Sequence, residues 1–234
     1  MDDDDHREVA RQQRIADACV GADPADGRLG LYRSLIQRNL SAVTRRLLPR
    51  SATHIGLARA RSGSYEDWFA RFLAEVGPRT PYLRDVAPEF VAWAAPQWAT
   101  DRELPPFLVD VANREMDLFA IEWAPREPQP HLAEVSADRA LAFATPRRLT
   151  GYAYRVHEGD PPPEGTTHLL IHRDAENTVH TTVVEPERAG LLAAMLDGAP
   201  AGAALDVLGP EALAEWLARL ADAGALLGGR IEPR

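Results

Sequence analysis

The apolar residues of this chain change their spacing about halfway along the sequence. From Asp5 to about Trp123 they recur at the three- and four-residue intervals of an amphipathic helix. From Gly151 to Val184 they fall instead into short runs rich in Val, Thr, Tyr and Ile, which are typical of strands. The pattern predicts an α+β chain, with a helical N-terminal domain followed by a smaller mixed domain.

The helical half contains several amphipathic segments. In GRLGLYRSLIQRNLSAVTRRLLPR, Pro49 is expected to end a helix whose apolar face contains Tyr32, Leu35, Ile36, Asn39, Leu40, Val43 and Leu47. In SYEDWFARFLAEVG, Ser64 is a capping residue and Asp67 lies three positions on. Its apolar stripe contains Trp68, Phe69, Phe72, Leu73 and Val76, and Gly77 and Pro78 stop it. PYLRDVAPEFVAWAAPQW and LPPFLVDVANREMDLFAIEW add two more segments, so we expect a helical bundle.

In the mixed half, the sequence predicts strands followed by helices. Strands are expected at about 149–158, 167–173 and 178–184, the last two around the polar turn 174–177. Helices are expected in PERAGLLAAMLDG, AGAALDVLG and PEALAEWLARLADAGALLGG. Three strands followed by three helices favour a small winged-helix-like module.

Domain limits follow from a change in composition. The stretch APREPQPHLAEVSADRA, at 124–140, is rich in proline and lacks a sustained period. We therefore predict an acidic N-terminal segment at 1–28, expected to be partly flexible, a helical domain at 29–123, a linker at 124–148 and the mixed module at 149–234.

Composition and charge narrow the function classes. The net charge of −9 and the pI near 5.3 disfavour non-specific nucleic-acid binding, which needs a basic face. The single cysteine, Cys19, excludes an intramolecular disulfide and a cysteine-based zinc cluster. The N-terminus does not resemble a secretory signal, and no apolar stretch approaches the roughly 20 residues of a membrane span, so we expect a cytoplasmic protein.

Three of the seven histidines lie in HLLIHRDAENTVHTTVV. On one strand, His168 and His172 would be about 13 Å apart, too far to share a common metal ion. His180 can approach one of them across the turn, which gives at most a pair. Strand histidines that are solvated or hydrogen-bonded are therefore favoured over a metal site.

Catalytic signatures are sparse. The sequence lacks HExxH, GxSxG, GxGxxG and a phosphate-binding P-loop. Scattered carboxylates on the helices are typical of solvated faces or of partners for arginine, although a paired-carboxylate mechanism stays open; they are Asp85, Glu89, Asp110, Glu115 and Asp117. We expect a chain that is not itself an enzyme and holds no cofactor.

The last predicted strand is a candidate binding edge, because one side of its backbone lacks a partner strand. An extended peptide can pair with such an edge and place alternate side chains in a neighbouring groove. The strand residues are Thr178, Val179, His180, Thr181, Thr182, Val183 and Val184. The residues of the last helix that either line the groove or only close the core are Leu213, Trp216, Leu217 and Leu220. If the Thr182 N–H faces the open edge, proline there should abolish peptide binding.

Several segments together resemble the HvfC/BufC family. They are LYRSLIQRNL, LLPR, DWFARFLAEVGPRTPYLRDVAPEF, PPFLVDVANREM and RALAFATPRRLTGYAYRVHE, and the resemblance extends over nearly the whole chain from Leu29 onward. TPYLRDVAPEF is its most specific part, and the DDDDH segment lies outside it. The family's N-terminal helical domain has long carried a DNA-binding description.

The resemblance implies a partner protein of multinuclear non-haem iron-dependent oxidative enzymes, which modify ribosomally made peptides. Such a partner forms a complex with the enzyme, holds no metal itself and presents the leader of the precursor peptide. Its C-terminal module is similar to a winged-helix-like peptide-recognition element that adds the leader to its third strand, beside its third helix. Enzyme contact is assigned by position to Tyr82, Leu83, Arg84 and Asp85.

A DNA-binding regulator is the alternative reading. In a winged helix the last helix would enter the major groove, and here PEALAEWLARLADAG contains Glu211, Glu215 and Asp222 against one arginine, Arg219. These charges would be repelled by DNA phosphates, so a peptide is favoured over DNA.

Overall fold

The computed structural model describes residues 28–58, 63–80, 82–125 and 131–230. The acidic segment predicted at the N-terminus, apart from its last residue, lies outside the described residues, and so does Cys19. The chain divides into two compact units, Met1–Met116 and Asp117–Arg234. This division comes before residue 123, where the helical domain was expected to end.

The first unit is helical. Its helices are α1 (Arg28–Leu47), α2 (Pro49–Ala58), α3 (Tyr65–Glu75), a 3₁₀ turn (Leu83–Asp85) and α4 (Val86–Trp98), followed by α5 (Leu108–Trp123), which continues into the second unit. Its core is aromatic: the rings of Phe69 and Phe90 lie 5.3 Å apart and those of Trp68 and Trp98 lie 6.2 Å apart, both edge to face.

The start of α3 is capped as the sequence predicts. The Ser64 side chain accepts from the Asp67 N–H at 3.2 Å, and the Ser64 N–H donates to the Asp67 carboxylate at 2.8 Å. This reciprocal pair satisfies two amides that the first helical turn leaves without partners.

The first helix ends before Pro49 as predicted, and the structure adds two features that the sequence pattern did not contain. Pro49 does not only end α1; it also begins α2, because proline is well suited to a first helical position. Tyr32 and Leu35 belong to the predicted apolar face but are 63% and 51% exposed. Periodicity identifies residues that share a face, but not whether another element covers that face.

The second unit contains two antiparallel three-stranded sheets, so the α+β prediction is confirmed. One sheet has the order β3-β4-β5, with strands β3 (Arg147–Tyr154), β4 (Glu164–Arg173) and β5 (Val179–Val184). The other has the order β1-β6-β2, with strands β1 (Leu132–Ala133), β2 (Leu141–Phe143) and β6 (Leu226–Arg230).

Helices pack against these sheets around one core. They are α6 (Pro186–Leu196), a 3₁₀ turn (Ala201–Ala204), α7 (Leu205–Leu208) and α8 (Pro210–Asp222). Leu170 of β4, Val184 of β5, Leu192 of α6 and Trp216 of α8 belong to the same buried cluster. The three predicted strands correspond to β3, β4 and β5.

The sheet β1-β6-β2 departs from the predicted organisation. Residues 124–148, expected as a linker, contain β1, β2 and the start of β3, and every residue of β2 is buried. The glycine-rich tail expected at the end of the last helix forms β6. Its glycines allow close approach of β1: a Cβ at Gly229 would lie 2.5 Å from the Glu134 carbonyl oxygen.

In the described parts of the chain, no helix combines the length and the apolar character that crossing a membrane requires.

Candidate functional site

Strand β5 forms one edge of its sheet. It pairs antiparallel with β4, and no other strand of the described residues lies on its opposite side. The register runs without a shift from the pair Arg173–Val179 to the pair His168–Val184. This unbroken ladder fixes which backbone groups of β5 point away from β4.

Two hydrogen bonds beside the hairpin establish these directions. The Asp174 N–H donates to the Thr178 carbonyl at 3.0 Å across the turn, whereas the Arg173 N–H donates to the Pro146 carbonyl at 3.1 Å, on the β3 side. Because bonded and non-bonded pairs alternate along antiparallel strands, alternate residues of β5 bond toward β4, namely His180, Thr182 and Val184. The remaining residues direct their N–H and C=O groups outward; they are Val179, Thr181 and Val183, and we call these groups the open edge.

This alternation changes one prediction. The Thr182 N–H faces β4 and not the open edge. Proline at Thr182 is therefore not expected to test peptide binding. Proline there would remove a hydrogen bond of the sheet itself. The informative position is the neighbouring Thr181.

The side chains along the open edge differ between the two faces of the sheet. Thr181 and Val183 are exposed, and Val183 is 52% exposed. His180 and Thr182 are half-buried and Val184 is buried in the core. Thr178 is exposed in the turn before β5. The edge therefore offers main-chain groups together with two accessible β-branched side chains.

The apolar residues of α8 do not line an open groove. Their exposed fractions are 9% or less, and all of them belong to the core cluster of this unit: Leu213, Trp216, Leu217 and Leu220. The amphipathic pattern of α8 identified buried residues correctly, but burial against the sheet and α6 leaves them inaccessible to a ligand. Of the two readings left open by the sequence, closing the core is the one that the structure shows.

Polar groups connect α8 with the end of β5. Glu185 follows β5 directly, and its carboxylate lies 3.9 Å from an Arg219 guanidinium nitrogen of α8. Arg188, in the first turn of α6, lies over the Trp216 ring, with its guanidinium carbon 5.6 Å from the ring centroid. The sequence pattern did not single out Arg188, because an arginine after Pro-Glu at a helix start is an ordinary surface residue.

Two of the three histidines form a stacked pair. The His172 and His180 rings lie 5.3 Å apart with an interplanar angle of 20°, which confirms that His180 approaches one of the earlier histidines. His180 Nε2 lies 2.5 Å from the Asp174 carboxylate, and this bond lowers the pKa of Asp174. Burial, and then the neighbouring His180, lower the pKa of His172, whose Nε2 lies 3.1 Å from the Ala223 carbonyl oxygen.

His168 is separate from this pair and lies against the backbone of β3. A Cβ at Gly151 would come within 3.1 Å of its imidazole, so glycine leaves space for the ring. Within the described ranges, no group of three or more His, Cys, Asp or Glu side chains is placed to hold a metal ion.

Two of the candidate carboxylates are buried and take part in structural contacts. Asp117 accepts from Arg148 at 2.5 Å and from the Tyr152 hydroxyl at 2.7 Å, which joins α5 to β3. Glu115 accepts from the Arg50 N–H at 2.7 Å and from the Ser51 hydroxyl at 2.5 Å, so it caps the start of α2. Burial raises the pKa of Glu115.

The other carboxylates lie apart from these two. Glu89 accepts from the Arg79 N–H at 2.7 Å, and Asp85 lies 3.5 Å from Arg84. Asp110, in the first turn of α5, also has an interaction partner.

The predicted enzyme-contact residues form an accessible turn. Tyr82 and Leu83 are 61% and 54% exposed. The Arg84 guanidinium carbon lies 5.6 Å from the Tyr82 ring centroid. Two adjacent exposed apolar side chains bordered by charge are compatible with a protein-binding surface.

A cleft between α1 and α3 was not anticipated from the sequence. Its volume is about 360 Å³. Phe69 and Leu73 contribute apolar surface, and the ion pair Arg45–Glu66 lies at its rim. Each helix alone shows an ordinary amphipathic pattern, so the cleft becomes visible only when the two are packed.

Comparison with known proteins adds no assignment: no family model matches this chain, and neither does any curated protein.

Proposed function

We propose that this chain is a non-catalytic partner subunit that binds the leader of a precursor peptide and presents it to a multinuclear non-haem iron-dependent peptide-modifying oxidase. The two proteins would form a heterodimer in the cytoplasm. The proposal combines the HvfC/BufC resemblance of the sequence with the geometry of β5.

The open edge of β5 is the observation that carries the proposal. Val179, Thr181 and Val183 direct alternating donors and acceptors outward, which is what an added strand requires. Main-chain pairing supplies affinity with little dependence on side chains, so one edge suits a leader that varies in sequence. Because the apolar residues of α8 are buried in the core, the peptide would be recognised by the open edge and by polar groups at its ends, not by an apolar groove.

The oxidative chemistry and its iron are assigned to the partner enzyme. The two buried candidate carboxylates of this chain, Glu115 and Asp117, already accept hydrogen bonds that join its helices and strands. Tyr82 and Leu83 are the proposed contact with that enzyme.

DNA binding through α8 is the weaker alternative. Glu211, Glu215 and Asp222 are all exposed on this helix, as is Arg219. In the major groove, this helix would present a face with excess negative charge to the DNA, which disfavours binding. A salt-sensitive, sequence-selective mobility shift with DNA from upstream of the gene would favour this alternative.

Two measurements test the proposal. When the two are co-expressed, the chain should co-purify with the proposed iron-enzyme partner, and the fluorescence anisotropy of the labelled precursor peptide should rise when the chain is added. If the anisotropy does not change with either the chain or its complex, the proposal is wrong.

A further inference from the structure

Arg188 has an unusual environment at the C-terminal end of the open edge. Its side chain is 19% exposed and lies over Trp216, and the nearest carboxylate oxygen, on Glu185, is 3.6 Å from Nη1. Among the described residues, its Nε and Nη1 are buried and have no hydrogen-bond partner. A guanidinium that is held by an aromatic ring, with its nearest carboxylate beyond hydrogen-bond distance, can bind a carboxylate that comes closer.

A second arginine faces the same point. Arg219 of α8 is half exposed; its Nη1 donates to the Glu215 carboxylate at 3.0 Å, and its Nη2 lies 3.9 Å from the other oxygen of Glu185. Both distances from Glu185 to the arginines are longer than a hydrogen bond. The Glu185 side chain is also 46% exposed, so it can move into solvent without losing a short contact.

We infer that the bound peptide contributes a carboxylate to Arg188 and Arg219, and that Glu185 occupies this place until the peptide displaces it. This inference rests on the proposed function, because the peptide strand on the open edge brings the carboxylate to the end of β5. Val183, the last residue with outward backbone groups, is two positions before Glu185. The peptide class is therefore an extended segment with one acidic group at a fixed distance from its strand-pairing residues.

The carboxylate has two chemical sources, an Asp or Glu side chain and the peptide's own C-terminus. Both offer the same planar pair of oxygens to a guanidinium. Amidation of the C-terminus removes one source, and replacement of Asp by Asn removes the other.

The test uses the full-length chain and a displayed library of short random peptides with a free C-terminus. Peptides enriched by the wild type are synthesised in three forms: unchanged, with Asp or Glu replaced by the amide, and with an amidated C-terminus. Fluorescence anisotropy then gives their affinities. We expect loss of the relevant carboxylate to lower the affinity roughly tenfold or more, since a hydrogen bond to a charged group raises affinity by about that factor.

Substitutions in the chain give effects of opposite sign. Arg188→Gln and Arg219→Gln should each weaken binding of the acidic peptide and leave its amide analogue unaffected. Glu185→Ala should tighten binding of the acidic peptide, because it removes the competing carboxylate. Glu187→Ala removes a nearby negative charge as a control, and Arg155→Gln serves as the arginine control; neither should change the preference.

The outcomes separate the two proposals. If the wild type enriches no peptide, the proposed function fails. If it enriches peptides without an acidic preference, or if Arg188→Gln and Arg219→Gln retain that preference, the carboxylate inference alone is overturned. Circular dichroism identifies any unfolded variant. If an arginine variant is unfolded, Glu185→Ala tests the inference instead: tighter peptide binding supports it and unchanged affinity contradicts it.

Discussion

Thr181 and Thr182 are neighbours on β5, yet their backbone amides point in opposite directions. Thr182 is paired with Leu170 of β4, and the alternation of the ladder turns the Thr181 amide toward the open edge. The same substitution at these two positions therefore has different physical consequences. At Thr181 it affects a ligand that pairs with the open edge, and at Thr182 it affects the stability of the sheet.

Proline at Thr181 should strongly weaken peptide pairing without unfolding the module. It removes an outward N–H and places a ring where the added strand would lie, whereas an edge position tolerates proline. We expect Thr181→Pro to weaken peptide binding tenfold or more and Thr181→Ala to leave it nearly unchanged, as measured by anisotropy. Thr182→Pro should instead lower the free energy of unfolding by about 1–3 kcal/mol, because it leaves a carbonyl of β4 without its donor. Peptide affinity that is equal in Thr181→Pro and the wild type would contradict the orientation of the edge.

The stacked histidines make a separate prediction about pH. Because the pKa of His172 is lowered in the fold, the unfolded chain binds more protons than the native one below about pH 6.5. The contribution of His172 to stability is therefore present above that pH and is lost as the pH falls toward the folded pKa. Denaturant unfolding at pH 7 and pH 5 should show a smaller loss for His172→Gln than for the wild type. His131→Gln, at an exposed position, should retain the wild-type loss.

At the scale of elements, the helices and strands with strong local sequence patterns were predictable. The capping box at Ser64 and the proline starts of α6 and α8 follow from contacts within one helical turn. The strands β3, β4 and β5 follow from β-branched runs around a polar turn. Within the candidate site, the exposed edge was predictable from the order of these strands, since the last strand of a meander is an edge.

The sheet β1-β6-β2 was not predictable because its stability comes from contacts distant in sequence. Leu141 pairs with Gly229, and neither the three-residue β2 nor the glycine-rich β6 has a strand pattern of its own. The place of Arg188 over Trp216 was hidden for the same reason. It depends on α6 and α8 being brought together, not on the spacing within either helix.

A pair of glycine substitutions tests the role of β6. Ala at Gly229 would place its Cβ 2.5 Å from the Glu134 carbonyl oxygen, so we expect Gly229→Ala to destabilise the chain by roughly 1–3 kcal/mol. At Gly190, within α6, the space around a Cβ is open, and Gly190→Ala should stabilise by about 0.4–1 kcal/mol. Denaturant unfolding measures both changes. A neutral result at Gly229 would mean that β1 readily moves away from β6.

At the scale of the whole molecule, the proposed function assigns two surfaces to two partners. The open edge belongs to the second unit and the exposed Tyr82 and Leu83 to the first. If the chain presents a peptide to an enzyme, the two surfaces should be separable by substitution.

The expected separation is reciprocal. Tyr82→Ser with Leu83→Ser should weaken co-purification with the iron enzyme, by about tenfold in affinity if the contact loses about 1.4 kcal/mol, and should leave peptide binding unchanged. Thr181→Pro should have the opposite pattern. As a control, Leu57→Ser alters another exposed apolar residue of the first unit and should affect neither. Loss of both activities from either change would contradict the assignment of separate surfaces.

Amide hydrogen exchange along β5 tests the central claim most directly. In the free chain, the amides of His180, Thr182 and Val184 should exchange slowly because they bond to β4, and those of Val179, Thr181 and Val183 should exchange fast. Adding the precursor peptide should protect the second set and leave the first nearly unchanged. Peptide binding that leaves Val179, Thr181 and Val183 unprotected would contradict strand addition at the open edge.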